Sequence, residues 1–353
     1  MKIKRIQYVT NYCVTKNNVF LANKDRVIKS LNNELEFNEF KFDGASMFAD
    51  GDFLIIPVNP SQTFIFDLVK IFYELLDFNI VFKSNYRNKV LVTKTSNDST
   101  YYFISQYDLI QKKITYTSRK EFSSWNGDLI ENSYYYIDEN QIIHSFHLPT
   151  ETTLWQYAIT DLGAEKVSKI LGVFGQTLVV VGQIREYTYM LLGLDVQSCQ
   201  LLWKHEEIFA AELHGKVHPV KLSCIYADTI TGKLILFEGG VYSEFEGSSG
   251  NILKWINIFK SPLSFGKYKM DAYAFDICDA DEEYIYFRTS VPGYGMYSGA
   301  GIFNRKTDQL EFLDVILSEN GRPISIGPQK VKATKEKFYV LDNQNTLHIY
   351  DRE

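Results

Sequence analysis

The chain has little of what marks several large classes of protein. Its 353 residues include only 4 cysteines and 8 prolines. The cysteines, Cys13, Cys199, Cys224 and Cys278, are far apart and form no CxxC pair. This spacing excludes a disulfide scaffold and a thiolate zinc site, and it predicts buried free thiols. Because 45% of the residues are hydrophobic and proline is scarce, a disordered chain is excluded as well.

Long apolar runs and an excess of positive charge are also missing. No segment approaches the roughly 18 uninterrupted apolar residues of a membrane-spanning helix, and the first fifteen residues lack the apolar core of a secretory signal. We therefore expect a cytoplasmic protein without a membrane partner. Lys and Arg total 37 against 43 Asp and Glu, a net charge of -6 with the two signs interspersed. Nucleic acid is not an expected partner, since its binding normally needs a gathered basic face.

Aromatic residues are abundant and point to β-structure. The chain contains 25 Phe, 24 Tyr and 4 Trp, residues that suit a pleated, half-buried surface. Many short segments alternate with the two-residue period of a strand, and turn residues separate them every eight to twelve positions. The clearest of these segments are 53–56, 63–66, 177–181, 233–237 and 284–287. Short strands at this spacing predict an all-β fold.

A longer repeat is visible in pairs of a polar residue and an aromatic residue eight positions later. The pairs are Asn32 and Phe40, Asp108 and Tyr116, His147 and Trp155, Asp195 and Trp203, and Asn304 and Phe312. Glu246 and Trp255 have one extra residue between them, Asp67 has Leu75 at the aromatic position, and Asp351 begins an eighth copy. The polar residues are 35 to 58 positions apart, which brackets the roughly 40 to 50 residues of a propeller blade. We interpret them as caps of a turn that precedes each blade's last strand.

The repeat predicts a β-propeller of eight four-stranded blades. Seven blades are the alternative, because the first copy is short. The eighth copy lacks its last strand, and the N-terminal segment 2–9 is the natural donor, since pairing it with the last blade leaves no free terminal edge. Without a linker or a low-complexity segment, residues 1–353 are predicted to form a single domain.

One blade carries a family resemblance. The segment from Gly193 to Lys204, with Asp195 and Trp203 at its two marked positions, resembles the repeat of pyrroloquinoline-quinone-type propellers, in which Cys199 takes the place of a preferred glycine. The segments 246–255 and 304–312 are looser matches. The resemblance implies the propeller fold and does not imply the quinone. We predict that the protein has no cofactor, with Ca²⁺ as the alternative.

Two segments are candidate sites. The densest acidic cluster holds Asp276, Asp279 and Asp281, whose oxygens could serve as weak calcium ligands, although an acidic turn entering a strand explains the cluster equally well. The glycine-rich run 293–301 has no helix behind it to form a phosphate cradle. It is interpreted as a long hairpin loop that joins strands 284–289 and 300–303. We predict that Tyr294, Met296 and Tyr297 in this loop contact a partner.

The sequence therefore favours a non-enzymatic binding module that recognises another protein. Within this class, an acidic cytoplasmic chain of this size suits a bacterial immunity-type protein that neutralises a toxin, as a monomer or in a heterodimer with a basic partner. The alternative is a propeller enzyme, quinone-dependent or carbohydrate-active, with its site in the central channel. No catalytic residues are assigned.

Overall fold

The computed structural model contains two compact units, here called unit A (residues 8–158) and unit B (residues 1–7 and 159–353). It describes residues 3–15, 18–25, 27–31, 36–37, 47–50, 52–59, 62–70, 72–83, 89–95, 102–122, 127–186, 188–206, 209–213, 216–219, 224–238, 241–257, 263–265, 268–270, 275–291 and 293–352. Strand β1 (Ile3–Ile6) belongs to unit B. Within these ranges no helix has the length and apolar character needed to cross a bilayer.

Unit A contains four antiparallel four-stranded sheets, blades 1 to 4, whose strands pair in chain order. Blade 1 consists of β2 (Val9–Val14), β3 (Val19–Asn23), β4 (Ile28–Ser30) and β5 (Glu36–Phe37). Blade 2 consists of β6 (Phe48–Asp50), β7 (Phe53–Asn59), β8 (Gln62–Asp67) and β9 (Phe72–Leu76). Blade 3 consists of β10 (Asn79–Lys83), β11 (Lys89–Thr95), β12 (Tyr102–Asp108) and β13 (Lys113–Phe122). Blade 4 consists of β14 (Gly127–Ile130), β15 (Ser133–Ile137), β16 (Ile142–His147) and β17 (Thr152–Ala158).

Unit B begins with a 3₁₀ turn, Ile159–Leu162, and contains blades 5 to 8. Blade 5 consists of β18 (Lys166–Phe174), β19 (Thr177–Arg185), β20 (Thr188–Asp195) and β21 (Leu201–His205). The hairpin β22 (Phe209–Leu213) and β23 (Lys216–Pro219) precedes blade 6, which consists of β24 (Tyr226–Asp228), β25 (Lys233–Glu238), β26 (Val241–Glu246) and β27 (Ile252–Asn257). The hairpin β28 (Leu263–Phe265) and β29 (Tyr268–Met270) precedes blade 7, which consists of β30 (Phe275–Ala280), β31 (Tyr284–Val291), β32 (Gly295–Asn304) and β33 (Gln309–Val315). Blade 8 consists of β34 (Ile326–Ala333), β35 (Lys337–Asp342), β36 (Leu347–Asp351) and β1.

The eight sheets are the blades of an all-β propeller, so the predicted fold class and blade number are confirmed. The predicted role of the N-terminal segment is confirmed too, because β1 pairs antiparallel with β36 from Ile3 opposite Tyr350 to Ile6 opposite Leu347. Blade 8 thereby acquires a fourth strand, and β36 is not left as an edge. That residues 1–353 form one domain stays a prediction.

The turns between third and fourth strands explain the recurring polar residues. One side-chain oxygen accepts hydrogen bonds from the backbone N–H groups two and three residues further on, at Asp67, Asp108, Asp195 and Asn304. The carboxylate of Glu246 instead accepts the hydroxyl of Ser249, and His147 hydrogen-bonds the hydroxyl of Thr150. The predicted capping of the turn backbone is therefore confirmed at Asp67, Asp108, Asp195 and Asn304. Asn32 and Phe40, the first predicted pair, lie outside the described residues.

Five of these turns have a left-handed residue four positions after the polar one. These residues are Lys112, Glu151, Cys199, Gly250 and Asp308, with φ between 53° and 71°. Past the turn, the fourth strand of each of these blades carries the repeat's aromatic residue, and a one-residue register shift in its pairing with the third strand lies beside it. The shift is a β-bulge, which bends the strand and increases its twist locally.

The core consists of apolar clusters between successive blades within each unit. Between blades 6 and 7 the rings of Phe237 and Phe275 stack at 4.1 Å, and Phe287 and Phe303 pack around them. Between blades 7 and 8, Phe312 lies 5.4 Å from Phe338 and 4.9 Å from Tyr350. Such aromatic pairs contribute beyond the area they bury, by about 0.5–1.5 kcal/mol each. Phe312, one of the repeat's aromatic residues, therefore connects blade 7 to blade 8.

Candidate functional site

A groove of about 900 Å³ lies between blades 7 and 8 of unit B. It is lined by the β30–β31 turn, by residues of β31, β32 and β33, by the end of β34 and the β34–β35 turn, and by Arg352, which follows β36. These pieces meet because both hairpin turns point to the same end of adjacent blades. The volume falls within the range of small-molecule and peptide sites, roughly 300–1,000 Å³. We call this feature the groove.

Carboxylates form most of the charged lining of the groove: Asp281, Glu282, Glu283 and Glu311. The Oδ1 atom of Asp281 caps its own turn by accepting the backbone N–H groups of Glu283 and Tyr284. Glu311 accepts a hydrogen bond from the Asn304 amide at 2.6 Å, and Glu283 lies 3.6 Å from the Lys306 ammonium group. Glu282 and Glu311 are exposed, so their charges face the solvent in the groove, and Glu283 is half-buried.

Besides the carboxylates, the groove is lined by aromatic rings and by the guanidinium of Arg352. Arg352 stacks over Tyr284 at 4.5 Å and lies 5.5 Å from the Tyr286 ring centroid. Its Nη1 atom donates to the Tyr286 hydroxyl at 3.0 Å and to the Thr334 carbonyl at 2.9 Å. The Tyr286 hydroxyl in turn donates to Asp281 Oδ2 at 2.7 Å. This chain of contacts fixes one guanidinium through ring faces and polar groups.

The pKa values of Tyr284 and Tyr286 reflect the negative charge in the groove. Burial raises the pKa of Tyr284, and the negative charges of Glu311 and Glu283 raise it further against the opposing charge of Arg352. Burial, followed by the hydrogen bond to Asp281, also raises the pKa of Tyr286. Both phenols therefore stay protonated at neutral pH, and carboxylates dominate the local field.

A buried ion cluster supports the acidic turn from the side of blade 6. Arg305 is 3% exposed, and it donates from Nε to Glu244 at 2.7 Å and from Nη1 to Asp228 at 2.9 Å. The same Nη1 also donates to the backbone carbonyl of Asp281. The arginine thus connects the middle of blade 6 to the turn that lines the groove, and we treat it as a positioning residue.

Glu244 is the most strongly perturbed acid of this cluster. Burial alone would raise its pKa, but hydrogen bonds from Arg305, Lys233 and Tyr242 outweigh burial and lower the pKa to about 2. The carboxylate is therefore ionised whenever the protein is folded near neutral pH, and it neutralises a guanidinium that could not otherwise be buried.

The predicted calcium residues lie in blade 7 but are engaged with cationic and phenolic groups. Asp276 pairs with Arg288 at 2.7 Å, Asp279 pairs with Lys332 at 3.0 Å, and Asp281 has the contacts given above. In the part of the chain that the structure describes, no group of three or more His, Cys, Asp or Glu side chains could hold a metal ion. Of these three aspartates, Asp281 lines the groove. The calcium alternative stays a prediction.

The predicted contact loop is shorter than the sequence suggests. β31 continues to Val291 and β32 starts at Gly295, and these two residues pair directly. Tyr297 therefore lies in a strand, with φ of 51°, and the Arg288 guanidinium stacks on its ring at 4.1 Å. Tyr294 packs against the core between blades 6 and 7. Met296 lies in β32, and its side chain is outside what is described. Contact of these residues with a partner stays a prediction.

Sequence reasoning missed most of the groove. Glu311, Arg352 and Tyr286 come from three separate strands or strand ends, and their spacing in the chain gives no sign that they meet. The one signal present was the density of acidic residues at 276–283.

Comparison with known proteins shows the fold. No family model matches the chain, and no curated protein matches it either. Among solved structures, the chain is similar to BamB from Moraxella catarrhalis, with 11% identity, a TM-score of 0.50 and coverage of 100% of this chain and 99% of that one. It is also similar to Sqt1 from Saccharomyces cerevisiae, with 10% identity, a TM-score of 0.57 and coverage of 99% and 97%. Both likenesses are to the fold alone.

Proposed function

We propose that the protein is a non-enzymatic binding module that recognises a protein partner through the groove. The observation that carries this proposal is the groove itself, a 900 Å³ concavity that combines exposed carboxylates with aromatic faces. Aromatic side chains inside a polar, solvent-accessible rim are typical of protein interfaces. Asp281, Tyr286, Glu311 and Arg352 are held by hydrogen bonds and ring contacts, so these groups are ordered before any partner arrives, which lowers the entropic cost of binding.

A second feature supports a protein partner. Large apolar side chains are exposed on the fourth strands of several blades: Ile3, Phe72, Tyr73, Leu75, Leu154, Leu201, Leu202, Ile252, Leu253 and Trp255. Two of these strands, β21 and β27, belong to adjacent blades, and the Trp203 indole of β21 donates to the Ser248 carbonyl just before β27. Apolar side chains gathered on neighbouring exposed strands are a common basis of protein association.

The finer hypothesis is a bacterial immunity-type protein that neutralises a basic toxin in the cytoplasm, as a monomer that forms a heterodimer. Its support is the net charge of -6 and the presence of free thiols at all four cysteines. We also propose kinship with the quinone-type propeller repeat. The support for it is the turn from Asp195 to Trp203, where Cys199 has the left-handed conformation that the repeat's glycine would take.

Affinity capture from a lysate of the source organism, followed by mass spectrometry, tests the proposed function. We expect one protein retained at equal stoichiometry, and the purified pair should give the mass of a 1:1 complex by light scattering. A partner that is a basic toxin, whose activity is abolished by equimolar addition of this protein, would support the finer hypothesis. A bait that elutes alone under low-salt conditions would overturn the binding-module proposal.

A further inference from the structure

We propose that the groove recognises a positively charged, arginine-bearing segment of the partner. This inference rests on the proposed function and names the chemistry of the ligand. Four carboxylates line the groove, against the two cations Lys335 and Arg352. The imbalance attracts cations and repels anionic ligands, and the groove's aromatic walls shield part of this field from water.

Arg352 shows how the groove holds a guanidinium. Its planar group lies over the face of Tyr284 while one nitrogen donates to a phenol and to a backbone carbonyl. Stacking together with in-plane donation is a property of arginine that lysine cannot reproduce. A second guanidinium entering the groove would meet the same kinds of group, with the exposed carboxylates of Glu282 and Glu311 and the half-buried carboxylate of Glu283 to accept its N–H donors.

The size of the groove indicates a segment instead of a single side chain. A volume of about 900 Å³ is near the upper end of the range for drug-sized ligands. Its carboxylates come from the β30–β31 turn and from β33, so they are distributed along the groove. An extended segment with two basic side chains could therefore contact both groups of acids at once.

Binding of short synthetic peptides to the full chain tests the inference. The probes are acetyl-Gly-Arg-Gly-Arg-Gly-amide, its lysine counterpart and its glutamate counterpart, each titrated by calorimetry at 50 mM salt. We expect saturable binding of the arginine peptide, weaker binding of the lysine peptide and none of the glutamate peptide. Raising the salt to 300 mM should weaken binding several-fold, since exposed charges are then screened.

Neutral variants locate the binding. The triple variant Glu282→Gln, Glu283→Gln, Glu311→Gln should bind the arginine peptide about tenfold more weakly, because the charged acceptors of its guanidinium N–H groups are then neutral. The matched control is Asp161→Asn, Glu165→Gln, Glu319→Gln, which changes the net charge equally at exposed positions outside the groove. Circular dichroism checks that both variants fold.

The outcomes separate the two proposals. If the groove and control variants weaken binding equally, or if the glutamate peptide binds as well as the arginine peptide, the inference is wrong. If a protein partner is captured from lysate by both the wild type and the groove variant, the chain is still a binding module, but recognition through the groove and the arginine site are both wrong. If the groove variant alone loses both the peptide and the partner, both proposals hold.

Discussion

Gly250 shows what a single residue contributes to a blade. It has φ of 71°, and a Cβ atom added to it would lie 2.5 Å from the Trp203 indole. Gly232 has nearly the same φ, 72°, but an added Cβ there would meet nothing within 4 Å. Gly250→Ala therefore combines backbone strain with a clash, whereas Gly232→Ala causes the strain alone.

We predict that urea unfolding will show a loss of about 1 kcal/mol for Gly232→Ala and about 3 kcal/mol for Gly250→Ala. The difference measures the packing of Trp203 on the neighbouring blade's turn. Equal losses in the two variants would show that this contact contributes nothing to stability.

Glu244 links stability to pH at the residue scale. Its pKa in the folded protein is about 2, below the ordinary 4.5. A lowered pKa means that the carboxylate stabilises the fold fully above pH 4.5, and that this stabilisation is lost as the pH falls from about 4.5 towards 2. Replacing the acid leaves the buried Arg305 with one fewer charged partner, which is costly.

We predict that Glu244→Gln will be less stable than the wild type by about 3 kcal/mol at pH 7, and that the gap will narrow as the pH falls from 5 to 3. Chemical denaturation over this pH series measures it. A gap for Glu244→Gln that stays constant down to pH 3 would contradict the assigned ion cluster.

Among the structural elements, the turn between third and fourth strands is the unit that the sequence repeats. At Asp108 one carboxylate oxygen accepts the N–H groups of Ile110 at 2.9 Å and Gln111 at 2.7 Å. Asn304 accepts the corresponding pair through its amide oxygen. The acceptor oxygen, and not the charge, is what the turn requires.

We therefore predict that Asp108→Ala will destabilise the chain by about 1–2 kcal/mol, because two donors lose their partner, and that Asp108→Asn will cost less than about 0.5 kcal/mol. Thermal unfolding of the two variants measures the difference. An asparagine variant as unstable as the alanine variant would mean that charge, and not hydrogen bonding, sustains the turn.

The β31–β32 hairpin shows where sequence reasoning at this scale fails. The glycine-rich run predicts a long loop that ends before residue 300, yet Gly299 already lies in β32. A Cβ atom added to Gly299 would lie 2.6 Å from the Val291 side chain on the opposite strand. Glycine there allows close approach within a sheet. Sequence alone does not distinguish this use of glycine from its use in a turn, since the neighbouring side chains come from the opposite strand.

At the scale of the whole molecule, the fold was predictable and the candidate site was not. Blade number and closure follow from local signals that recur, such as Asp195 with Trp203, because each turn is determined within about ten residues. The groove depends on Asp281, Glu311 and Arg352, which are brought together only by the packing of blades 7 and 8. Residues that are far apart in the sequence and come together only through blade packing leave no periodic pattern from which their proximity could be predicted.

The last blade makes the chain's two end regions depend on each other. Because β1 is the fourth strand of blade 8, residues 3–6 pair with a strand that is more than three hundred residues away in the sequence. Lys4 and Arg5 are consecutive in β1 and lie opposite Ile349 and His348. In an antiparallel pair the N–H groups of consecutive residues point in opposite directions, so only one of the two donates to β36.

A proline removes the N–H group, so Lys4→Pro and Arg5→Pro should have unequal effects. We predict that one of the two variants will lose a ladder hydrogen bond, at a cost of at least about 1 kcal/mol, while the other, whose N–H faces away from β36, stays closer to the wild type. Deleting residues 1–7 should lower the melting temperature further and cause self-association, because β36 then becomes an exposed edge that can pair with another copy. Thermal unfolding, light scattering and hydrogen exchange at 347–351 measure these effects. If both proline variants and the deletion behave like the wild type, β1 does not contribute to the stability of blade 8, and the blade is stable with three strands.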